Sequence, residues 1–426
     1  MKKFYSISFG CKVNSYETEA FAEKLEASDY IRSENEEDAD IFVVNTCAVT
    51  KMAEKKDMEK LRSLANKYPD KKIYVMGCFA QHNPDKVASV SPNISVTGTS
   101  RRMELASAAC EGNIVNLFED KPRYFSKYED IGISRFAKEV RAFVKIQDGC
   151  DNFCSYCLIP FVRGKSRSRD FNSVLCEIQS LALNGYKEIV ITGIDTASYA
   201  YQGKTFSDLI EAILSIEPSS FRVRISSLEA KQIDDKLISL FKSNSRLVPH
   251  IHLPLQSGSE KINRLMNRKY DMKEYLSLCE TLYKEIPNLA ISTDIITGFP
   301  SETEEDFLDT VEVSKKVHYM RIHAFPYSPR PFTKAYYMKD QVDRGVAKKR
   351  VKYLQELSSK QEKEFYDSFL GKKLHVLVEE VEQVNNTYLC KGYTENYLYI
   401  VFRSEDNLLS KIREITICDK EILEDK

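Results

Sequence analysis

Three apolar runs lie in the first eighty residues: FYSIS from Phe4, IFVVN from Ile41 and KIYVM from Lys72. They are rich in β-branched and aromatic residues, and the helix-like stretches SYETEAFAEKLEA and AEKKDMEKLRSLANKY separate them. This βαβαβ pattern predicts a parallel sheet. Each run leads into a cysteine, as FGC at Cys11, NTC at Cys47 and MGC at Cys78. All carboxyl ends of a parallel α/β sheet lie along one edge, where ligands usually bind, so three cysteines distant in sequence are expected to meet in space.

A second alternation begins near residue 140. Its expected strands are AFVKIQ, EIVITG, FRVRIS, VPHIHLPL, LAISTDIIT and YMRIHAF, with helical patterns such as SVLCEIQSLALNG, SDLIEAILSI and EEDFLDTVEVSKKV between them. Asn184-Gly185 reads as a helix C-cap, and Ser301 with Glu304 as a capping box opening the helix that contains Phe307. Six βα units fall short of an eight-stranded barrel but suffice for a partial one, with its site at the strand carboxyl ends. Residues 119–140 are charged and turn-rich, which suits a linker. After Phe332 the chain turns polar, then strongly helical up to Gly371, and ends in short β-like runs that predict a small antiparallel barrel. The expected division is 1–120 for an amino-terminal parallel α/β domain, 121–138 for a linker, 139–366 for the partial barrel and a helical connector, and 367–426 for the small barrel.

Composition narrows the functional classes. Of 426 residues, 62 are basic and 63 acidic, a formal charge of −1, so nucleic-acid binding must come from local patches. The start, MKKFYSISFGCKVN, lacks the long apolar core of a signal peptide, and no run approaches a bilayer span. Eleven cysteines, an odd number, then read as metal ligands plus buried thiols in a reducing cytoplasm, not as a disulfide framework.

CDNFCSYC sets Cys150, Cys154 and Cys157 at C-x3-C-x2-C spacing just after an expected strand. Soft thiolates this close select zinc, copper or an iron–sulfur cluster. A closed zinc site needs a fourth Cys or His, and of these the next ninety residues offer only Cys176, inside a helical pattern; zinc with a distant fourth ligand also fits. An iron–sulfur cube on three cysteines leaves one iron open to a substrate or cofactor. Unligated core thiols fit poorly on a loop this polar. His250 and His252, two apart on a strand, face the same way but have no matching third ligand, which favours barrel packing and hydrogen bonding over metal. Cys110, Cys176, Cys279, Cys390 and Cys418 read as buried small hydrophobes.

The C-x3-C-x2-C loop closing the first strand of a partial βα barrel resembles the signature of the radical S-adenosylmethionine (SAM) enzymes. GCKVNSYE from Gly10, NTCAVT from Asn45 and GCFAQ from Gly77, placed before such a core, resemble the methylthiotransferases among them. KIQDGCDNFCSYCLIPFVRGKSRSR, EIVITGID, RVRISSLE, HIHLPLQSGS, RLMNRKY, TDIITGFPSETEEDF and FPYSPRPFTKA continue the match over nearly the whole chain. Lys12-Val13-Asn14, the NTCAVT block and GYTENY look most like the branch acting on N6-threonylcarbamoyladenosine beside the tRNA anticodon. Phe332 departs from the pattern, standing where that family commonly has glycine.

The resemblance implies two [4Fe-4S] clusters. One, on Cys150, Cys154 and Cys157, chelates SAM through its open iron and cleaves it to the 5′-deoxyadenosyl radical; the other, on Cys11, Cys47 and Cys78, holds the sulfur to be transferred. It implies SAM contacts from Tyr156, Thr192, Gly193, Asp195, Ser226, Ser227, Glu229, Gln256, Ser257 and Gly258. It also implies a TRAM-like RNA-binding final domain, tRNA as partner, a low-potential electron donor such as flavodoxin or ferredoxin, and no membrane association. Arg163, Lys165, Arg167 and Arg169 form a basic ladder suited to phosphate or cofactor carboxylate, whereas Lys348, Lys349, Arg350 and Lys352 read as a solvated helix face. Tyr393, Tyr397 and Tyr399 suit either base stacking or packing. The rival substrates are isopentenyladenosine in tRNA and an aspartate of a ribosomal protein. A rival of another class is a non-enzymatic RNA-binding protein with structural zinc, which predicts a colourless protein without iron.

Overall fold

The computed structural model describes residues 1–119, 122, 125, 127–137 and 139–424. The amino-terminal runs form the strands Lys3–Ser8, Ile41–Thr46 and Lys72–Gly77, which join Ile31–Arg32 and Ile94–Val96 in one parallel sheet. Ile41–Thr46 is central and buried along its whole length, as a parallel strand covered on both faces must be. Alternation divides its side chains. Phe42 and Val44, with Ile73 and Val75, pack on Met58, Leu61 and Leu64 of the helix Lys51–Lys67. Val43, Tyr74 and Met76 meet Phe21 and Leu25 of the helix Lys12–Glu26 and Leu105 of the helix Arg102–Glu111.

The six expected barrel strands are present as Ala142–Lys145, Glu188–Thr192, Arg222–Ile225, His250–His252, Ala290–Thr297 and Arg321–Pro326. They run parallel in two sets of three. Backbone bonds from Val223 N–H to the Arg246 carbonyl (2.7 Å) and from Leu228 N–H to the His252 carbonyl (3.0 Å) join the sets into one arc. Their carboxyl ends face the cysteine edge of the first sheet.

Three local expectations change. The capping box of the helix Glu304–Val317 is Thr303 with Asp306; Ser301 lies in a left-handed turn (φ 68°), and the Glu302 carboxylate ties off the Gly298 N–H at 2.6 Å. Much of the 121–138 stretch is packed against the body: Ile131, Ile133 and Phe136 enter the barrel core, and Glu129 pairs with Arg102 at 2.5 Å. Residues 120, 121, 123, 124, 126 and 138 of that region, and 425 and 426 at the end, lie outside the described residues. The final sheet, ordered Ile412–Thr416, Lys373–Val384, Thr387–Tyr393, Tyr399–Ser404 and Leu423–Glu424, is antiparallel except for its last pair, which is parallel.

That sheet has its own core, including Leu374, Val376, Ile400 and Phe402, and docks on the amino ends of the barrel strands. Arg222 donates to the carbonyls of His375 (2.9 Å) and Tyr393 (3.0 Å), and Arg224 to those of Glu395 (3.1 Å) and Thr394 (3.2 Å). Both guanidinium groups rest on buried Glu188, at 2.5 and 2.7 Å. Tyr397 stacks on His250 at 4.5 Å and lies under Arg224 at 4.6 Å, while Tyr393 stacks on Tyr397 at 4.7 Å. Tyr393 and Tyr397 are therefore docking residues, and Tyr399 is the exposed member of the three. His250 and His252 both hydrogen-bond Ser292 Oγ, at 3.1 and 3.0 Å, in keeping with barrel packing. Among the described residues, no helix is long and apolar enough to cross a membrane.

Candidate functional site

The amino-terminal sheet delivers its cysteines by tight turns at strand ends. Gly10 (φ 100°) and Gly77 (φ 107°) adopt conformations that L side chains rarely reach. A Cβ at Gly10 would sit 2.8 Å from Cys47 Sγ, and one at Gly77 only 2.4 Å from the Thr46 carbonyl. The residues beside each cysteine lock the edge. Asn14 donates to the carbonyls of Phe9 (2.7 Å) and Thr46 (3.1 Å), Asn45 to that of Asn14 (3.0 Å), and Thr46 Oγ1 to that of Met76 (2.7 Å). The Asp57 carboxylate accepts the Cys47 N–H at 2.8 Å. Cys47 and Cys78 are buried and Cys11 is exposed.

The second triad sits on the loop between Gly149 and the short helix Ile159–Val162. Gly149 (φ 74°) has the Lys165 carbonyl where a Cβ would stand, at 2.0 Å, so this crossing demands glycine. Asp195 accepts from Asn152 Nδ2 at 3.0 Å and Gln232 Nε2 at 2.9 Å, and lies 3.6 Å from Cys150 Sγ. Arg268 approaches Cys154 Sγ at 3.7 Å while Glu229 grips it through both oxygens, at 3.1 and 2.6 Å. The Ser155 carbonyl accepts the Ala335 N–H at 2.8 Å, fastening the loop to the segment after the last barrel strand.

Between the triads lies a cavity of ≈ 320 Å³. Cys78 lines one wall and Cys157 another, with Tyr156, Gln256, Asp294 and Tyr327 among the remaining lining. Of the expected cofactor contacts, Tyr156 and Gln256 reach it. Asp195 and Glu229 brace the cysteine loop. Thr192 is buried in the strand ladder; Gly193 lies on Gln147, and Ser226 meets Thr196 Oγ1 at 3.4 Å. Ser227 stands half-buried just past its strand. Ser257 and Gly258 turn outward to Thr310 of the helix Glu304–Val317, the Gly258 N–H donating to its Oγ1 at 2.9 Å.

The basic ladder is not a surface. Arg163 is fully buried, bonding Glu17 (2.8 Å), Asp148 (3.0 Å) and Asn14 Oδ1 (2.9 Å), with its Nε 3.2 Å from Cys78 Sγ. Arg169 is buried on Glu177 (2.5 Å) and Asp130 (2.6 Å), and Arg167 donates to the Arg163 and Lys165 carbonyls. Lys165 alone is exposed. Lys145 and Arg102 complete the network on Glu17, at 2.7 and 3.0 Å. Burial works against the Glu17 charge, but Arg102, Arg163 and Lys145 outweigh it and pull its carboxyl down to about 2. On the connector, Lys348 and Lys349 are solvated as expected, but Arg350 is buried on Glu302 (2.6 Å). Among the remaining thiols Cys279 and Cys390 are buried, Cys110 and Cys418 are partly so, and Cys176 is exposed on the outer face of its helix.

The donor chemistry of both triads fits an iron–sulfur cluster. Burial first, then the neighbouring thiols Cys78 and Cys11, push the Cys47 thiol up to about 12; burial and Cys154 do the same to Cys157. Sulfurs that resist ionising side by side ionise once a metal cation sits among them. Among the described residues, no three His, Cys, Asp or Glu side chains are gathered as tightly as one metal ion requires.

Residues 3–98 match the model of Uncharacterized protein family UPF0004, and residues 144–313 that of the Radical SAM superfamily. Similarity extends much further among curated proteins. The chain is 36% identical over 421 residues to threonylcarbamoyladenosine tRNA methylthiotransferase MtaB of Bacillus subtilis, covering 96% of this chain and 92% of that one. It is 35% identical over 432 residues to tRNA-2-methylthio-N(6)-dimethylallyladenosine synthase of Acetivibrio thermocellus, covering 98% and 88%. In fold it resembles the radical S-adenosylmethionine methyltransferase TsrM of Kitasatospora setae, with TM-score 0.61 at 11% identity over 79% of this chain and 74% of that one. The architecture is thus that of a radical SAM enzyme. Within that class the chain belongs to the methylthiotransferase family, enzymes that transfer a methylthio group.

Proposed function

We propose that the chain adds a methylthio group to C2 of N6-threonylcarbamoyladenosine at position 37 of tRNA, with two [4Fe-4S] clusters and SAM as cofactors. The observation that carries the reading is the single cavity walled by Cys78 of one triad and Cys157 of the other, which lets two clusters address one substrate atom. Cys150, Cys154 and Cys157 would hold the cluster that binds SAM, and Cys11, Cys47 and Cys78 the cluster that carries sulfur. When bound, these groups supply low-potential electrons, a carbon-centred radical and the sulfur itself. The chain's own part is placement. Tyr156 and Gln256 face the cavity where SAM and the adenine would lie, Glu229 and Arg268 keep the loop of Cys150, Cys154 and Cys157 in shape, and the largely apolar walls, with Ile159, Val162 and Ile296, exclude water.

In this reading residues 1–120 hold the auxiliary cluster, 139–366 the SAM chemistry, and 367–426 a TRAM-like RNA-binding unit, the whole working in the cytoplasm with flavodoxin or ferredoxin as electron source. Relatives named for threonylcarbamoyladenosine, from B. subtilis, Aquifex aeolicus and Thermotoga maritima, favour that nucleoside. The 35% identity to the dimethylallyladenosine enzyme keeps isopentenyladenosine as the second reading.

Mass spectrometry of tRNA nucleosides from a host lacking its own threonylcarbamoyladenosine methylthiotransferase, with and without this chain, tests the assignment. Appearance of the 2-methylthio derivative confirms it; the isopentenyl derivative instead moves the substrate to the second reading. Alanine at any of the six cysteines is expected to abolish the product, and full activity in Cys47→Ala would refute the two-cluster mechanism.

A further inference from the structure

Arg163 follows directly on the short helix Ile159–Val162, six residues past Cys157, yet its guanidinium reaches into the other domain. Every nitrogen has a partner. Nε points at Cys78 Sγ (3.2 Å), Nη1 bonds Glu17 (2.8 Å) and Asp148 (3.0 Å), and Nη2 bonds Asn14 Oδ1 (2.9 Å) and Glu17 (3.2 Å). The side chain is fully buried, and arginine keeps its charge there. The three trio sulfurs are therefore unequal. Cys78 faces a fixed cation, whereas exposed Cys11 donates to Asn14 Oδ1 at 3.9 Å.

We propose that Arg163 is a positioning residue for the amino-terminal cluster: its Nε–H, held by Glu17, Asp148 and Asn14, fixes the Cys78 sulfur and raises that cluster's reduction potential relative to the cluster on Cys150, Cys154 and Cys157. The proposal rests on the reading above that the trio carries a cluster. Hydrogen bonds to cysteine sulfur and nearby charge are levers on cluster potential, because they draw electron density off the ligand and favour the more negative, reduced state. Burial keeps water from screening that charge. The second triad has a weaker counterpart: Arg268 stands 3.7 Å from Cys154 Sγ, half an ångström farther than Arg163 Nε from Cys78 Sγ at 3.2 Å. Lysine cannot replace Arg163, since one ammonium does not span a sulfur, two carboxylates and an amide in a fixed fork.

The test is a redox titration followed by electron paramagnetic resonance on the full, anaerobically reconstituted chain, with Cys78→Ala identifying the signal of the trio's cluster. In Arg163→Gln the reduced-to-oxidised ratio of that cluster at a fixed poise is expected to fall at least tenfold, about 59 mV for a one-electron couple. The other cluster should hold its midpoint, and Arg163→Lys should show a smaller shift of the same sign. The lysine variant keeps the charge the acids need, so it carries the test where the glutamine chain does not fold. Unchanged midpoints in variants with full iron, or both clusters moving together, would overturn the role of Arg163. A native chain holding only one cluster would instead refute the reading of the trio.

Discussion

Phe332 has φ 71° and is 61% exposed, with its ring edge-on to His82 at 5.6 Å. A bulky residue in the left-handed region costs roughly 1–2 kcal/mol. Phe332→Gly is therefore expected to stabilise the protein by about 1 kcal/mol, read as a higher urea midpoint. A lower midpoint would mean that the His82 contact outweighs the strain. The sequence marked this position as unusual but gave no hint of its backbone. The cysteines were the opposite case, because their spacing and flanking glycines and asparagines exposed both triads. Arg163 and Arg268 escaped notice as ligand partners, since their acids lie far off in sequence: Glu17 is 146 residues from Arg163, and Glu229 is 39 from Arg268. A run of four basic residues looks the same in one dimension whether it faces solvent or a buried carboxylate.

Among the elements, the strand-end turns matter most. Gly77→Ala would place a methyl 2.3 Å from Asn45 Oδ1 and 2.4 Å from the Thr46 carbonyl in a backbone that alanine already disfavours. The expected result is a loss of about 3 kcal/mol or more, with iron falling from two clusters' worth to one, checked by denaturation and iron analysis of the anaerobic protein. Retention of both clusters would show that the turn relaxes without moving Cys78. The main strands and their parallel pairing were legible because each apolar run is short, β-rich and followed by a helix pattern. The true capping box was less so, since Thr303 with Asp306 overlaps Ser301 with Glu304, and only the turn at Ser301 decides between them. Cys176 misled for a similar reason: Val174, Ile178 and Leu181 of its helix face inward, and it lies between them on the outer side.

At the scale of the whole molecule, buried charge joins the parts. Glu17 of the first sheet domain meets Arg163, Lys145 and Arg102, and its carboxyl at about 2 lies below its ordinary 4.5. The sign follows: a depressed carboxyl adds stability that is fully present above pH 4.5 and is lost as pH falls through about 2. Urea midpoints measured from pH 5 down to about pH 2 should drop more steeply in the native chain than in Glu17→Gln, and parallel curves would contradict the assignment. At the opposite end, Arg222→Ala with Arg224→Ala should leave Glu188 only the longer pair to Arg141 (3.7 Å) and loosen the last sheet, seen as faster proteolysis near Gly371 with the rest of the chain resistant. These joints were invisible in the sequence, where Arg222 and Arg224 read only as alternate residues of a strand.

The seating of Tyr397 on His250 and Arg224 corks the barrel at its amino ends, while the cavity lies at the carboxyl ends, with Phe325 and Ser328 in its lining. Exchange with solvent is thus left to the carboxyl side. Whatever small molecule reaches the deeper wall must pass the place where a bulky polymer would rest, and spent fragments must leave by the same route. Turnover is then expected to be sequential: the small cofactor enters first, and the polymer departs before the remnants are exchanged.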